Sequence, residues 1–288
     1  MTADSLLPYA RLPHAYRNRD VLHSTVDAFG RAHWLVRDSP PPREPYDALV
    51  VTVEDGHPHE THLNSVRSRF PLLGALPDGG FVVADIRRRP GEEQVQVFDT
   101  SGRTSGTFTV GDAVEHLLTD ESGDLWVGHF DEGTFDDPLS EPGVRCWSST
   151  GAPLWEYGRP SGTDRIVECY ALNVDRRATW VYPYPDFPLV EVRSGRPAFV
   201  RGTPVRGAHG VVVHGTSVAF FGGYDDQHDR LVLGTLTGIG VDPVAESRLL
   251  RPDGIPLGSR YDRRVVSRGS RLYVQEKPYT EWMVFALD

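Results

Sequence analysis

The sequence predicts an all-β protein, and three observations lead to this prediction. Short apolar runs alternate with polar residues, which is typical of strands that bury one face rather than of helices. The turns between the runs are rich in glycine, proline and aspartate, as in Pro77-Asp78-Gly79-Gly80, and such turns favour β-hairpins. One hairpin pattern also recurs six times along the 288 residues.

Each repeat begins with two apolar runs on either side of a polar turn, as in HLLTDESGDLWVGHFDEG at residues 116–133. The six hairpins occupy residues 24–38, 72–85, 116–133, 170–184, 209–224 and 263–277. Their second runs are registered on Trp34, Val82, Trp126, Trp180, Ala219 and Tyr273, at intervals of 48, 44, 54, 39 and 54 residues. This spacing is typical of the four-stranded blades of a β-propeller.

Further apolar runs extend the hairpins to four strands. The third runs are residues 47–56, 94–102, 143–151, 189–195, 230–238 and 281–288, and the fourth runs include 106–111, 152–158, 196–202 and 244–250. The last repeat lacks a fourth run, whereas residues 5–13 belong to no repeat. We therefore expect a single domain over residues 1–288, an all-β, six-bladed β-propeller of four-stranded antiparallel blades. An N-terminal closing strand and arm (residues 1–20) would complete the last blade and remove an open sheet edge. An irregular N-terminal arm is the alternative.

The pattern also resembles known propellers. GDLWVGHFDEG, at residues 123–133, resembles the repeats of two-component-regulator propellers. The chain as a whole resembles the six-bladed group that includes NHL, SMP-30/gluconolactonase-like and strictosidine-synthase-like propellers. This resemblance implies that the first strand of each blade lines a central channel. It also implies that the loops before the first strand, and between the second and third strands, surround the channel mouth.

The residues at the starts of the first strands are therefore candidate site residues. Registered on His116, they read Ser24, Leu72, His116, Tyr170, His209 and Arg263, preceded by His23, Pro71, Glu115, Cys169, Ala208 and Asp262. These residues differ from repeat to repeat, which a repeated scaffold does not require. Glu115 and His116 are the catalytic candidates, as an acid/base pair. The alternative is a solvent-facing pair at the end of a strand.

Five residues are candidates for ligand binding: Tyr170, His209, Arg263, Asp131 and Cys169. Asp131 begins an acidic loop that reaches Asp137, and with Asp225 and Asp226 it suggests a site for a divalent cation. His116, His209 and Glu115 suggest a transition-metal site. Solvated acidic loops and an accidental match of histidines are the alternatives. No other cofactor is predicted, and the identity of the metal stays unknown.

A run of arginines, residues 87–89, suggests the opposite kind of site. Together with Arg67, Arg69 and Arg263, it is a candidate for binding a carboxylate or phosphate through bidentate hydrogen bonds. A solvated loop that balances nearby acids is the alternative.

Composition excludes several classes of function. The formal net charge of -10 argues against nucleic-acid binding, and no apolar run reaches the roughly 18–20 residues of a membrane span. The N-terminal sequence lacks the pattern of a secretory signal, so a cytoplasmic location is expected. The two cysteines, Cys146 and Cys169, are too few for a disulfide framework and are expected to be buried thiols.

Two classes of function remain. The first is a monomeric binding module that takes a small molecule or a partner protein at its top face, the face that carries the channel mouth. The alternative is a small-molecule enzyme in the channel, either a metal-assisted lactonase-type hydrolase or a strictosidine-synthase-like lyase. Motifs for phosphate loops, dinucleotides, nucleophile elbows and zincins do not occur in the sequence.

Overall fold

The computed structural model describes residues 2–38, 44–160 and 163–288. The loop between the second and third runs of the first repeat, RDSPPPREPY at residues 37–46, is predicted to lie at the channel mouth and falls partly outside the described residues. The described residues form mainly strands, with one short α-helix, α1 (Asp131–Asp136), and single 3₁₀ turns at His14–Tyr16, Asp225–Gln227 and Arg260–Asp262.

The strands, in chain order, are β1 Thr2–Ser5, β2 Leu7–Arg11, β3 Asp20–Val26, β4 Ala32–Arg37, β5 Tyr46–Glu54, β6 His57–Val66, β7 Pro71–Ala75, β8 Phe81–Asp85, β9 Val95–Phe98, β10 Thr104–Phe108, β11 Val114–Thr119, β12 Leu125–His129, β13 Val144–Trp147, β14 Pro153–Glu156, β15 Glu168–Val174, β16 Thr179–Tyr184, β17 Leu189–Val192, β18 Phe199–Arg201, β19 Gly210–His214, β20 Ser217–Phe221, β21 Arg230–Leu236, β22 Val241–Leu250, β23 Arg263–Arg268, β24 Arg271–Glu276 and β25 Glu281–Ala286.

The chain divides into two compact units. The first unit, Ala10–Gly158, contains three four-stranded antiparallel sheets in which each strand pairs with the next along the chain. They are formed by β3 to β6, β7 to β10 and β11 to β14. The first strands of consecutive sheets lie side by side, β3 by β7 and β7 by β11. Hairpins that follow one another in sequence thus form separate sheets, as the repeat predicts.

The second unit consists of residues 2–9 and Arg159–Asp288. One of its sheets has the order β1-β22-β21-β20-β19. The other has eight strands, in the order β18-β17-β16-β15-β23-β24-β25-β2. A single parallel pair, Asn173 with Ser267, joins the two halves of this sheet, and β15 to β18 form an antiparallel meander on one side of it.

The N-terminal residues complete the second unit. The sequence predicts that a strand within residues 5–13 lies beside the last strand of the chain, and β2 does lie beside β25. The structure adds a second strand that the repeat pattern does not reveal. β1 pairs in parallel with the end of β22, from Thr2–Ser247 to Ser5–Leu250. Leu6, between the two strands, is fully buried.

Apolar side chains fill the spaces between neighbouring sheets of each unit. In the first unit, Leu35 and Val83 belong to one such cluster, and Val82 and Leu125 to the next. In the second unit, Tyr182 packs with residues of β19 and β20. Three aromatic residues of the second strands, Trp34, Phe81 and Trp180, are buried in the core. Trp126 is half-buried, and its ring contacts Trp155 at a centroid distance of 5.5 Å.

Asn173 connects the first strands of the second unit. Its Nδ2 donates to the carbonyls of Val211 (2.9 Å) and Gly269 (2.8 Å). Its Oδ1 accepts a hydrogen bond from the Gly269 amide at 2.7 Å. One fully buried amide therefore fixes the relative positions of β15, β19 and β23 at one end of these strands. Tyr170, His209 and Arg263 lie near the beginnings of the same three strands.

Candidate functional site

The pairing of the strands corrects the register of the candidate residues. In β11 the ladder skips Glu115, because Val114 pairs with His129 and His116 with Gly128. In β15 the ladder skips Tyr170 in the same way. Leu118 pairs with Trp126, and Asn173 pairs with Trp180. The skipped residue of each strand stands three positions before this pairing residue.

Tyr170 is therefore equivalent to Glu115, and His116 to Ala171. Alignment of Tyr170 with His116 is wrong by one residue. The turn between β15 and β16 is one residue shorter than the turn between β11 and β12, and this difference causes the error, because both strands carry a β-bulge at the equivalent position. Counted by the same pairing, His209 and Arg263 are equivalent to Glu115 as well.

Tyr170 is the centre of an aromatic cluster in the second unit. Its ring stacks on His209, with centroids 5.5 Å apart and planes 15° apart, and on Tyr184 at 6.0 Å and 29°. Phe187 meets the edge of the same ring at 4.9 Å, and Tyr224 at 6.3 Å. We refer to Tyr170, Tyr184, Phe187, His209 and Tyr224 as the aromatic cluster. It lies where β15 and β19 begin and β16 and β20 end.

Two glycines leave room for this arrangement. A Cβ at Gly207 would lie 2.8 Å from ring carbons of Tyr224, and one at Gly222 would lie 3.1 Å from the His209 ring. Both glycines have positive φ, 72° and 96°, which side-chain-bearing residues rarely adopt. The backbone at Gly207 and Gly222 thus packs directly against the rings of Tyr224 and His209. The positions of these two rings therefore depend on the glycines.

The exposed surface of the cluster belongs to two tyrosines. Tyr184 is 39% exposed and Tyr224 40% exposed, whereas Phe187 is buried beneath them and Tyr170 is half-buried. The hydroxyl of Tyr224 donates to that of Tyr170 at 3.4 Å. Burial, this hydrogen bond and the nearby Glu168 raise the pKa of Tyr170 well above its usual range, so the phenol is neutral at physiological pH. The cluster thus offers flat rings and hydroxyl groups to a ligand.

Sequence reasoning identified Tyr170 and His209 but missed Tyr184, Phe187 and Tyr224. The missed residues lie in the predicted loops between second and third strands, in YPYPDF and GGYDD. The aromatic residues in these two loops were the signal that the sequence offered. Their convergence on Tyr170 depends on pairing between residues up to 54 positions apart.

The other two candidates of the second unit are held by their own surroundings. Arg263 donates to the carbonyls of His228 (2.8 Å) and Gly258 (2.6 Å), and its guanidinium lies 5.3 Å from the Phe221 ring. Cys169 is fully buried, and its Sγ lies 3.7 Å from the carbonyl oxygen of Ala171. Both cysteines are free and buried, as the sequence predicts. Ligand binding by Arg263 or Cys169 stays a prediction.

Glu115 and His116 belong to the first unit. Glu115 is exposed at the bulge of β11, and His116 is half-buried and faces Gly128 of β12 across the ladder. Their role as an acid/base pair stays a prediction. So does their convergence with the residues of the second unit.

The acidic loop that begins at Asp131 and the arginine run, which suggest two separate ligand sites, are joined by ion pairs in the first unit. Arg87 pairs with Glu132 of α1 and, at 3.1 Å, with Asp112. Arg88 pairs with Asp137 at 2.6 Å. Asp131 itself is exposed at the start of α1, and its Oδ1 accepts a hydrogen bond from the Glu132 amide.

This network weakens the case for separate ion sites. Basic residues that already bond to carboxylates bind an added anion less readily, and the same holds for the acids and an added cation. Among residues 2–38, 44–160 and 163–288, no group of three or more histidine, cysteine, aspartate or glutamate side chains is arranged to hold a metal ion. In the same part of the chain, no helix is long and apolar enough to cross a membrane.

Comparison with known proteins identifies the type of fold. No family model matches the sequence, and no curated protein sequence matches it. Solved structures do match. Virginiamycin B lyase from Staphylococcus aureus has a TM-score of 0.52 and 10% identity over 96% of this chain and 98% of that one. The WD40 domain of Toxoplasma gondii coronin has a TM-score of 0.51 and 11% identity over 98% of this chain and 70% of that one.

A chain of a mitotic checkpoint complex gives a TM-score of 0.53 and 11% identity over 94% of this chain and 76% of that one. The protein has a β-propeller-type fold. At such low identities the likeness concerns the fold alone, and propellers serve many unrelated functions. The function must be argued from the residues of this propeller.

One buried histidine of the propeller, His129 at the end of β12, has an unusual environment. Its Nδ1 lies 2.9 Å from the Asp112 carbonyl, and within the described part of the chain its buried Nε2 has no hydrogen-bond partner. Burial lowers the pKa of His129 to about 4, outweighing the Asp112 hydrogen bond and the Asp137 carboxylate, which raise it. The imidazole is therefore neutral in the folded protein at physiological pH.

This histidine should make stability depend on pH. In the unfolded chain His129 becomes protonated as the pH falls below its ordinary pKa of 6.5, whereas in the folded protein it stays neutral until the pH approaches its lowered pKa of about 4. We expect the free energy of unfolding to drop by about 3 kcal/mol across this window because of His129. Urea unfolding at pH 7.5, 5.5 and 4.5 measures the drop. His129→Asn keeps a donor for Asp112 and should lose much of this dependence, whereas His59→Asn, at an exposed position, should retain it. Equal pH dependence in all three proteins would contradict the assignment.

Proposed function

We propose that this protein is a binding propeller that recognises a ligand or partner at the aromatic cluster of the second unit. The observation that carries the proposal is the exposure of Tyr184 and Tyr224 above a packed base of Tyr170 and Phe187. Tyrosine offers a large, rigid contact area with few rotatable bonds, so little conformational entropy is lost on binding. Exposed tyrosines that are held in place are typical anchors of binding surfaces.

The proposal includes the architecture of the propeller. We infer six blades, with β2 supplying the fourth strand of the last blade and so closing a single domain. The repeat spacing and the position of β2 beside β25 support this inference. Glu115, His116 and Asp131 in the first unit, and Tyr170, His209, Arg263 and Cys169 in the second, remain candidate site residues. A location in the cytoplasm and a monomeric state also remain proposals.

Substitution of the exposed ring tests the binding site. A fragment library is screened by ligand-observed NMR against the wild-type protein and Tyr224→Ala. Fragments that bind the cluster should lose affinity by about tenfold or more, since a hot-spot aromatic residue commonly contributes this much. Gly207→Ala should reduce the same affinities, because the added Cβ displaces the Tyr224 ring without removing it.

Two sets of variants serve as comparisons. Phe199→Ala removes an exposed ring on β18, outside the cluster, and should leave the affinities unchanged. Glu115→Gln and His116→Ala test whether the site extends to the predicted acid/base pair. Fragments that bind Tyr224→Ala and Gly207→Ala as tightly as the wild type would show that the cluster is not the site. Turnover that Glu115→Gln reduces at least about tenfold would instead favour the enzyme alternative.

A further inference from the structure

We propose that the aromatic cluster receives a cationic group, and that its occupant is an arginine side chain of a partner polypeptide. This inference rests on the proposed function, because it names the chemistry of the ligand bound at the same site. The exposed rings and the charges around them both favour this chemistry.

The geometry of the rings favours contact on an open face. The centroids of Tyr170 and Tyr184 are only 6.0 Å apart. A planar group inserted between two rings needs roughly 7 Å, about 3.5 Å on each side. A ligand must therefore lie on the exposed faces of Tyr184 and Tyr224, where a guanidinium can stack on the ring and interact with its negative face.

The charges beside the exposed rings are mainly negative. Asp186 follows Tyr184 by two residues, and Asp225 and Asp226 follow Tyr224 directly; all three aspartates are exposed. The structure gives none of these carboxylates an ion-pair partner within the described part of the chain. Glu168, near Tyr170, adds a fourth acidic group.

Two arginines lie close to the cluster. The Arg206 guanidinium donates to the backbone carbonyls of Thr203 and Val205 and lies 5.9 Å from the buried Phe187 ring. Arg260 lies 5.3 Å from the Tyr261 ring, and its charge also acts on Tyr170. The acidic groups therefore outnumber the basic ones, and a cationic ligand gains attraction where an anionic ligand would meet repulsion.

Arginine fits this surface better than lysine. Its guanidinium is planar and weakly hydrated, and it can stack on tyrosine while its N–H groups donate to a carboxylate. An ammonium group is more strongly hydrated and loses more solvation on an aromatic face. A polypeptide partner is consistent with an open surface, because a shallow site holds a side chain that a larger interface positions.

Three short peptides with blocked ends test the proposal: Gly-Arg-Gly, Gly-Gln-Gly and Gly-Glu-Gly. Binding to the full chain is followed by NMR shifts of the tyrosine ring signals at peptide concentrations up to about 20 mM. We expect the arginine peptide to shift the signals of Tyr184 and Tyr224, and the glutamine and glutamate peptides to leave them unchanged. Raising the salt concentration should weaken binding, since exposed charges contribute to it.

Matched variants separate the rings from the charges. Tyr224→Ala should reduce the affinity of the arginine peptide at least about fivefold. The double variant Asp225→Asn, Asp226→Asn should reduce it about threefold and weaken its salt dependence. Asp242→Asn removes an exposed carboxylate of β22 and should have no effect.

Each other result overturns the proposal. Preference for the glutamate peptide would mean that Arg206 and Arg260 dominate the site. Equal binding of the arginine and glutamine peptides would mean that the site does not distinguish a cationic side chain from a neutral one. No shift with any peptide would exclude arginine as the occupant. The proposed binding function survives these results if Tyr224→Ala still reduces fragment affinity about tenfold or more, and fails separately if it does not.

Discussion

Deletion of residues 1–11 should lower the free energy of unfolding by about 5 kcal/mol and make the protein aggregate on heating. The deletion removes the four-residue parallel pairing of β1 with β22 and the strand beside β25. It also removes fully buried Leu6 and the contact of Tyr9 with Tyr273, whose ring centroids are 4.7 Å apart. The outer edges of β22 and β25 would then be open to pairing with other chains.

Two neighbouring leucines make the test specific. Leu6 packs in a core cluster with Leu249, Leu257 and Leu287, whereas Leu7 is 64% exposed. Leu6→Ala should cost about 3 kcal/mol, and Leu7→Ala should cost little. Urea unfolding measures both variants, and light scattering during heating measures aggregation of the deletion variant. A deletion variant with the stability and solubility of the full chain would show that the N-terminal strands are dispensable.

The sequence could predict the strands because they depend on local patterns. Alternating apolar residues and turns such as Pro77-Asp78-Gly79-Gly80 specify a hairpin without help from distant parts of the chain. The place of β2 beside β25 followed from counting strands. β1 was not predicted, since Thr2–Ser5 carries no alternating pattern and is held by its partner β22.

The candidate site could be predicted only in part, because it depends on register and on distant partners. The turn between β15 and β16 is one residue shorter than the turn between β11 and β12, and this difference moves the register of Tyr170 by one residue. The pairing of Arg87 with Glu132 joins residues 45 positions apart. Charges that look available in the sequence are therefore paired in the fold. Aromatic residues in predicted loops, such as Tyr184 and Tyr224, can be identified in the sequence. Their contacts with Tyr170 appear only in the folded chain.

Asp27, in the turn between β3 and β4, is the position where a single isosteric change should be most damaging. The carboxylate is 1% exposed and accepts hydrogen bonds from the amides of Phe29 (2.9 Å) and Arg31 (2.8 Å). Its second oxygen lies 2.7 Å from the Arg31 Nε and 3.0 Å from the Nε2 of buried His33. The Nδ1 of His33 lies in turn 2.8 Å from the Thr52 hydroxyl. Four groups thus converge on one buried anion.

Asp27→Asn should lower the free energy of unfolding by about 3–4 kcal/mol at pH 7. The new side-chain NH₂ group would face other hydrogen-bond donors, and the Arg31 guanidinium would lose the negative charge that it pairs with. Asp99 provides a matched control. The turn DTSGR at residues 99–103 repeats the pattern of DAFGR at residues 27–31, and Asp99 accepts the same two backbone hydrogen bonds. It lies at the surface, so Asp99→Asn should change stability little.

At low pH the difference in free energy of unfolding between the wild-type protein and Asp27→Asn should decrease. Burial raises the pKa of Asp27, but the hydrogen bond and charge of His33 and the charge of Arg31 outweigh it, and the pKa is about 2. A carboxyl group with a depressed pKa stabilises the fold above its unfolded value near 3.8 and loses this effect as the pH falls toward 2. The difference between wild type and variant, measured by urea unfolding, should therefore be constant from pH 7 to about pH 4.5 and shrink below it. A difference that stays constant down to pH 2.5 would mean that Asp27 acts through its shape alone and that its charge contributes nothing.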